Sequence, residues 1–247
     1  MTGVNGLDVG GIKNYGKCWY SFSDIPASVK REQFRQMVKS KLLGRLGPWG
    51  KIVFVYRYLS MLKKKHAIVK RCAEERGIGN KNIVNDYAGI VAGYEVSIGM
   101  FGREEGRALF GEMFLSIGDK EMSWLWPGYE VFNALDDPFE AIKAYWKAYL
   151  DAAHDLSLID YEIVEDDRDT FRTDITYCAY DDLLFAVGYP ELSSLNSEAE
   201  LCAMKTSFSS SDIVLTRKST LPNEKGRYAF AWKKCKDNKE WKCLEKM

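Results

Sequence analysis

A chain of 247 residues, 46% hydrophobic and 28% charged, is long enough to bury a sizeable core without a disulfide or metal staple. Its 35 Lys+Arg balance 35 Asp+Glu, and zero net charge argues against a dedicated nucleic-acid binder while leaving a homodimer compatible with the charge. Six cysteines form no C-x-x-C pair and only two histidines occur, so no metal and no cofactor is expected, and reduced thiols in a cytoplasmic chain lacking a signal peptide are the reading.

Residues 1–24 are rich in glycine, lack a period and read as a flexible arm. Val29, Phe34, Met37, Val38, Leu42 and Leu46 recur at helical spacing until Gly47-Pro48 ends the run. A second helix is expected from Gly50 to Arg76, stopped by Gly77 and Gly79. Its apolar stretch from Ile52 to Leu62 is too short to cross a bilayer, and no membrane partner is expected. The basic residues Lys63, Lys64, Lys65, Lys70 and Arg71 could touch phosphate or anionic lipid, but a solvated helix face accounts for them.

Residues 80–101 predict a tightly packed helix with small residues at Ala88, Gly89, Ala92 and Gly93. Another helix is expected from Arg103 to Ile117, then an aromatic loop from Trp124 to Gly128. Asp137 and Pro138 open a strong helix from Phe139 to His154, as cap and first-turn proline.

From about residue 156 the texture changes to alternation. Strands are predicted at Leu158–Val164 and Thr170–Cys178, split by an acidic turn. A short helix from Ala179 to Val187, a Pro190-Glu191-Leu192 turn and a helix from Ser197 to Ser207 come next. Two last strands are expected at Ile213–Thr220 and Arg227–Cys235, and residues 236–247 form a charged tail. The fold class is α+β. Residues 25–235 read as one domain, helical over 25–155, packed on a small antiparallel sheet of about four strands over 156–235.

Several features of the last third occur in a fixed order. Cys178 ends a strand before a helix, and Gly188 with Pro190-Glu191-Leu192 makes a turn. Glu198 and Glu200 lie in an acidic helix, Arg217 precedes Thr220-Leu221, and Gly226 leads a strand holding Phe230 and Trp232. This set resembles the L-2-amino-thiazoline-4-carboxylic acid hydrolase family over about a fifth to a quarter of the chain. Ser197 stands where that family often has a second Cys, Glu200 where it has Asp, and Tyr228-Ala229 where it commonly has Cys-Asp. The resemblance implies a small-molecule hydrolase-like enzyme acting on a cyclic amidine, thiazoline or related heterocycle, or a tailoring enzyme with an altered reaction. The alternative is a non-catalytic small-ligand-binding protein on the same fold.

Ring opening of such a substrate needs attack at the carbon between N and S and a proton for the leaving atom. Cys178 is the candidate nucleophile, although a free Cys is more often a small core residue. Glu200 is the candidate acid or base, with Glu198 two positions away on a different side of the helix; a solvated acidic face is the plainer reading of both. His154 could approach the thiol in space, or simply sit at a helix C-terminus where the dipole favours it. Arg217 could hold the substrate carboxylate with its forked guanidinium. Trp124, Trp126 and Tyr145 could wall a pocket, with core packing as the plainer role.

Overall fold

The computed structural model describes residues 25–208, 212–217 and 228–234. The expected arm over 1–24, the turn over 222–226 and the tail over 236–247 lie outside them. The fold is α+β, with helices leading and a four-stranded antiparallel sheet in the C-terminal third. By packing, the chain divides into two compact units. One unit holds residues 25–121 and 180–199; the other holds 122–179 and the described residues from 200 onward.

The first unit is helical. It contains α1 (Ala27–Lys39), α2 (Lys41–Gly44), α3 (Pro48–Glu75), α4 (Lys81–Phe101) and most of α5 (Arg103–Leu125). Later in sequence, α8 (Ala179–Ala186) and the first half of α9 (Pro190–Ser207) join it. The single first helix expected from the sequence is broken at Ser40. Its hydroxyl donates to the Met37 carbonyl at 2.6 Å and accepts from Leu43 N at 3.3 Å, so it caps α2.

The joint between α4 and α5 is tight. Gly102, at φ 84°, ends α4 in the left-handed region, and α5 doubles back at once. A Cβ at Gly106 would lie 2.5 Å from the Ser97 carbonyl oxygen and 2.6 Å from Ile98 Cα. Only a glycine lets the two backbones meet this closely.

Polar pairs run along α1, α2 and α5. Gln33 donates to Glu121 at 2.6 Å, Ser116 donates to Gln36 at 3.4 Å, Lys41 pairs with Glu112 at 2.9 Å, and Arg45 pairs with Glu105. Partner numbers fall on α5 as they rise on α1 and α2, the mark of antiparallel helices. Lys65, expected on a solvated face, turns inward. Its ammonium lies 2.6 Å from Glu95 Oε1 and 2.7 Å from the Tyr189 hydroxyl, while Lys63 and Lys64 stay exposed.

The second unit is built on α7 (Pro138–Asp155) and the sheet, preceded by the short α6 (Tyr129–Asn133). The strands are β1 (Ile159–Asp166), β2 (Thr170–Cys178), β3 (Ile213–Arg217) and β4 (Tyr228–Lys234). They lie in the order β1-β2-β4-β3, all neighbours antiparallel. Asp137 Oδ1 accepts from Phe139 N and Glu140 N at 3.1 and 3.2 Å and starts α7 as expected, with Pro138 in the first turn.

Register sets which residues face the helix. Phe171 pairs with Trp232 and Thr173 with Phe230; Leu215 pairs with Trp232 and Arg217 with Phe230. All of these except Arg217 are buried, on the side that meets Trp146 of α7. Lys143 of α7 clamps the β1–β2 turn. Its ammonium reaches Asp166 at 2.5 Å, Glu140 at 2.8 Å and the Asp167 carbonyl at 3.0 Å.

Candidate active site

Of the candidate residues, His154 and Cys178 both adjoin Ile159 of the second unit, the first at its carbonyl and the second as its cross-strand partner. The end of α7 explains how. Ser157 sits at φ 57° just past the helix. Its N–H reaches the His154 carbonyl at 2.7 Å, and Leu158 N reaches the Ala153 carbonyl at 3.0 Å. These are the two bonds of a left-handed helix stop, here with Ser where Gly is usual. The chain reverses so sharply that β1 begins beside the last turn of α7.

His154 is in that last turn. Its Nδ1 lies 3.1 Å from the Ile159 carbonyl and 3.1 Å from Asp160 Oδ1. Two oxygen acceptors at one ring nitrogen favour a proton there, which leaves the Nε2 lone pair available as a base. One turn earlier, Asp151 accepts from Lys147 at 2.8 Å and from the Tyr161 hydroxyl at 2.5 Å. Burial works to raise the Asp151 carboxyl, but these two bonds and the nearby His154 outweigh it and hold it below the usual range.

Cys178 comes to the same corner from β2. It is the cross-strand partner of Ile159, whose carbonyl meets the imidazole. Opposed residues of an antiparallel pair have Cα atoms about 4.5–5.5 Å apart and side chains on the same face. The face is fixed by a bulge. Asp160 pairs with Tyr177 and Tyr161 with Ile175, so Thr176 is an extra residue in β2. Without it, strict alternation would align Cys178 with Arg172 and Asp174, away from α7. With it, Cys178 shares the side of Ile159 and Tyr161, which is the α7 side. The thiol is half-buried and is not in a disulfide.

The other expected residues are on other elements. Arg217 is level with Thr173 through Phe230, five residues and two strands from Cys178, or about 15–20 Å at ordinary strand spacing. Its guanidinium rests 5.5 Å from the centre of the Phe230 ring. Glu198 is exposed on the part of α9 that belongs to the first unit. Glu200 is on α9, and its side chain lies outside the described ones.

Trp126 and Tyr145 meet edge to face at 4.6 Å, each about 2% exposed. Trp146, Tyr149 and Trp232 surround Trp126 at 5.5–6.2 Å. These rings fill one another's gaps, which is core packing and leaves no room for a ligand between them. Trp124 is half-buried in the last turn of α5, helical where a loop is expected.

A polar cleft of about 150 Å³ in the first unit is lined by Gln36, Lys39, Ser40, Glu112 and Ser116, none of them a candidate from the sequence. Among the described residues, no three His, Cys, Asp or Glu side chains gather as a metal site would require. Among the same residues, no helix is long and apolar enough to cross a membrane.

Asp160 is the residue that sequence reasoning misses. Its signal is the short His154–Asp160 spacing across a predicted helix-to-strand reversal, which brings the second residue back beside the first. Compared with known proteins, the chain matches no family model, no curated protein and no solved structure.

Proposed function

We propose that this chain is a hydrolase-like enzyme that attacks an electrophilic carbon of a small heterocycle with the Cys178 thiol. The observation that carries this is the His154 imidazole, held at Nδ1 by Ile159 and Asp160, beside the backbone directly opposite Cys178. A nucleophile, a base and a group that orients the base are the parts such catalysis needs. The resemblance to the thiazoline carboxylate hydrolases favours a cyclic amidine or thiazoline as substrate class. Cysteines outside disulfides fit a cytoplasmic setting.

The chemistry balances without a cofactor. Cys178 Sγ gives its proton to His154 Nε2, and the thiolate adds to the carbon between the two ring heteroatoms. The ring C–S or C–N bond breaks, and the imidazolium returns the proton to the leaving atom. Water then attacks the same carbon, its proton passing through His154, and the thiol is regenerated. Arg217 is left out of this site by its distance.

The test follows alkylation of each cysteine by iodoacetamide across pH, with peptide mass spectrometry as the readout. Cys178 is expected to react faster below pH 8 than the exposed Cys202, and His154→Gln is expected to abolish that advantage. Turnover of thiazoline carboxylates is expected to vanish in Cys178→Ala. A Cys178 rate equal to that of Cys202 and indifferent to His154→Gln would remove the thiol mechanism.

A further inference from the structure

The first half of α3 is apolar on two opposite sides. Phe54 is buried and Tyr58 half-buried on the side packed in the first unit, continued by Lys65 and Val69. On the other side Trp49 (80% exposed), Ile52, Val53, Tyr56 (73%) and Leu59 stand in solvent. Their spacing puts them within one stripe of roughly 120°, opposite Phe54 and Val69. A stripe this wide and this apolar marks a surface that something covers.

The charge around it identifies the cover. From Pro48 to Ala73 the sequence has seven Lys and Arg and no acidic residue, in a chain of zero net charge; Lys65, Lys70 and Arg71 pair with Glu95, Glu74 and Glu75, while Arg57, Lys63 and Lys64 are exposed. Arg57 flanks the stripe, and exposed Lys63 and Lys64 continue it toward the C-terminus of α3. A second copy laid on this face would set positive charge against positive charge. A nucleic acid would meet the cations but would leave five apolar side chains unused. A bilayer with anionic headgroups satisfies both halves of the surface.

We propose that the outer face of α3 binds peripherally to an anionic lipid surface. Trp49 and Tyr56 sit at the boundary of headgroup and acyl chain, where amphipathic rings concentrate, and Lys63 and Lys64 meet lipid phosphates. The helix lies in the plane of the interface. This goes beyond the enzymatic reading and does not depend on it.

The test is co-sedimentation of the full chain with phosphatidylcholine vesicles, with and without phosphatidylserine. Binding is expected only with the anionic lipid and is expected to weaken as salt rises. Lys63→Glu/Lys64→Glu and Trp49→Ser/Tyr56→Ser are each expected to weaken it by about tenfold or more. All four side chains are solvent-facing, so circular dichroism is expected to match wild type; the salt dependence of the unmodified chain tests the same point without a variant. No binding to anionic vesicles at low salt, or equal binding to neutral ones, would overturn the proposal. A dimer that Trp49→Ser/Tyr56→Ser dissolves would assign the face to a second copy instead.

Discussion

The indole N–H of Trp146 donates to the Thr173 hydroxyl at 2.9 Å, with both side chains essentially sealed from solvent. This bond is a fixed point between α7 and the middle of the sheet. Apolar rings can slide over one another at small cost, but a buried donor with one acceptor cannot. Thr173→Val keeps the shape and strands the indole. It is expected to cost about 1–3 kcal/mol in urea unfolding, with Trp146→Phe in the same background recovering part of the loss.

Lys143 adds an alkaline limit. Burial works to lower its ammonium, but the bonds to Asp166 and Glu140 win and raise it above the usual lysine range. A raised cation stabilises the fold fully below the unfolded lysine value and is lost as pH climbs through the folded one. Lys143→Met is expected to lower stability at pH 7 by about 2 kcal/mol and to flatten the fall above pH 10, read by thermal melts across pH.

Asp86 on α4 works in the opposite sense. Burial, with Glu121 adding repulsion, pushes its carboxyl up to about 6. An acid held more tightly protonated in the fold than in the unfolded chain loses stability as pH rises from about 4 to 6. Asp86→Asn is expected to remove that slope. It is also expected to stabilise the protein at pH 7 by about 1–2 kcal/mol, after allowance for partial solvent screening.

Two glycines on neighbouring helices give a paired test. Gly106→Ala drives a methyl into the backbone of Ser97 and Ile98 and is expected to cost about 3 kcal/mol or more. Gly99→Ala, with nothing within 4 Å of the added carbon, is expected to gain up to about 1 kcal/mol from helix propensity. Denaturation midpoints of the two variants should move in opposite directions.

The left-handed Ser157 offers a stabilising change. Ser157→Gly removes the steric penalty of φ 57° and is expected to raise stability by about 0.5–1 kcal/mol. Because the same turn brings His154 to β1, alkylation kinetics at Cys178 are expected to stay unchanged in this variant.

The sequence shows its long elements clearly where one strong local signal starts or stops them. Asp137-Pro138 opens α7 and Gly77 closes the region after α3, as the spacing predicts. Reading fails where a residue has two uses. Ser40 looks like a helix interior and is a cap. Pro190 looks like a turn and is the first residue of α9, a place that suits its fixed φ. Trp124 looks like loop because Gly118-Asp119 follow the last periodic residue, yet α5 runs through them to Leu125.

The site was legible only by halves. Cys178 and His154 can be named from residue type, but that both adjoin Ile159 depends on a turn and a strand register that no single residue announces. Arg217 was named by the same reasoning and lies two strands away, since register is a property of pairs of strands.

The bulge makes the address of the thiol a matter of counting. Shortening β2 by one residue at Thr176, with every other side chain kept, would turn Cys178 away from the α7 side toward the opposite surface. A relative could therefore retain the cysteine and still present it on the other face, through the loss of a neighbour of no chemical interest.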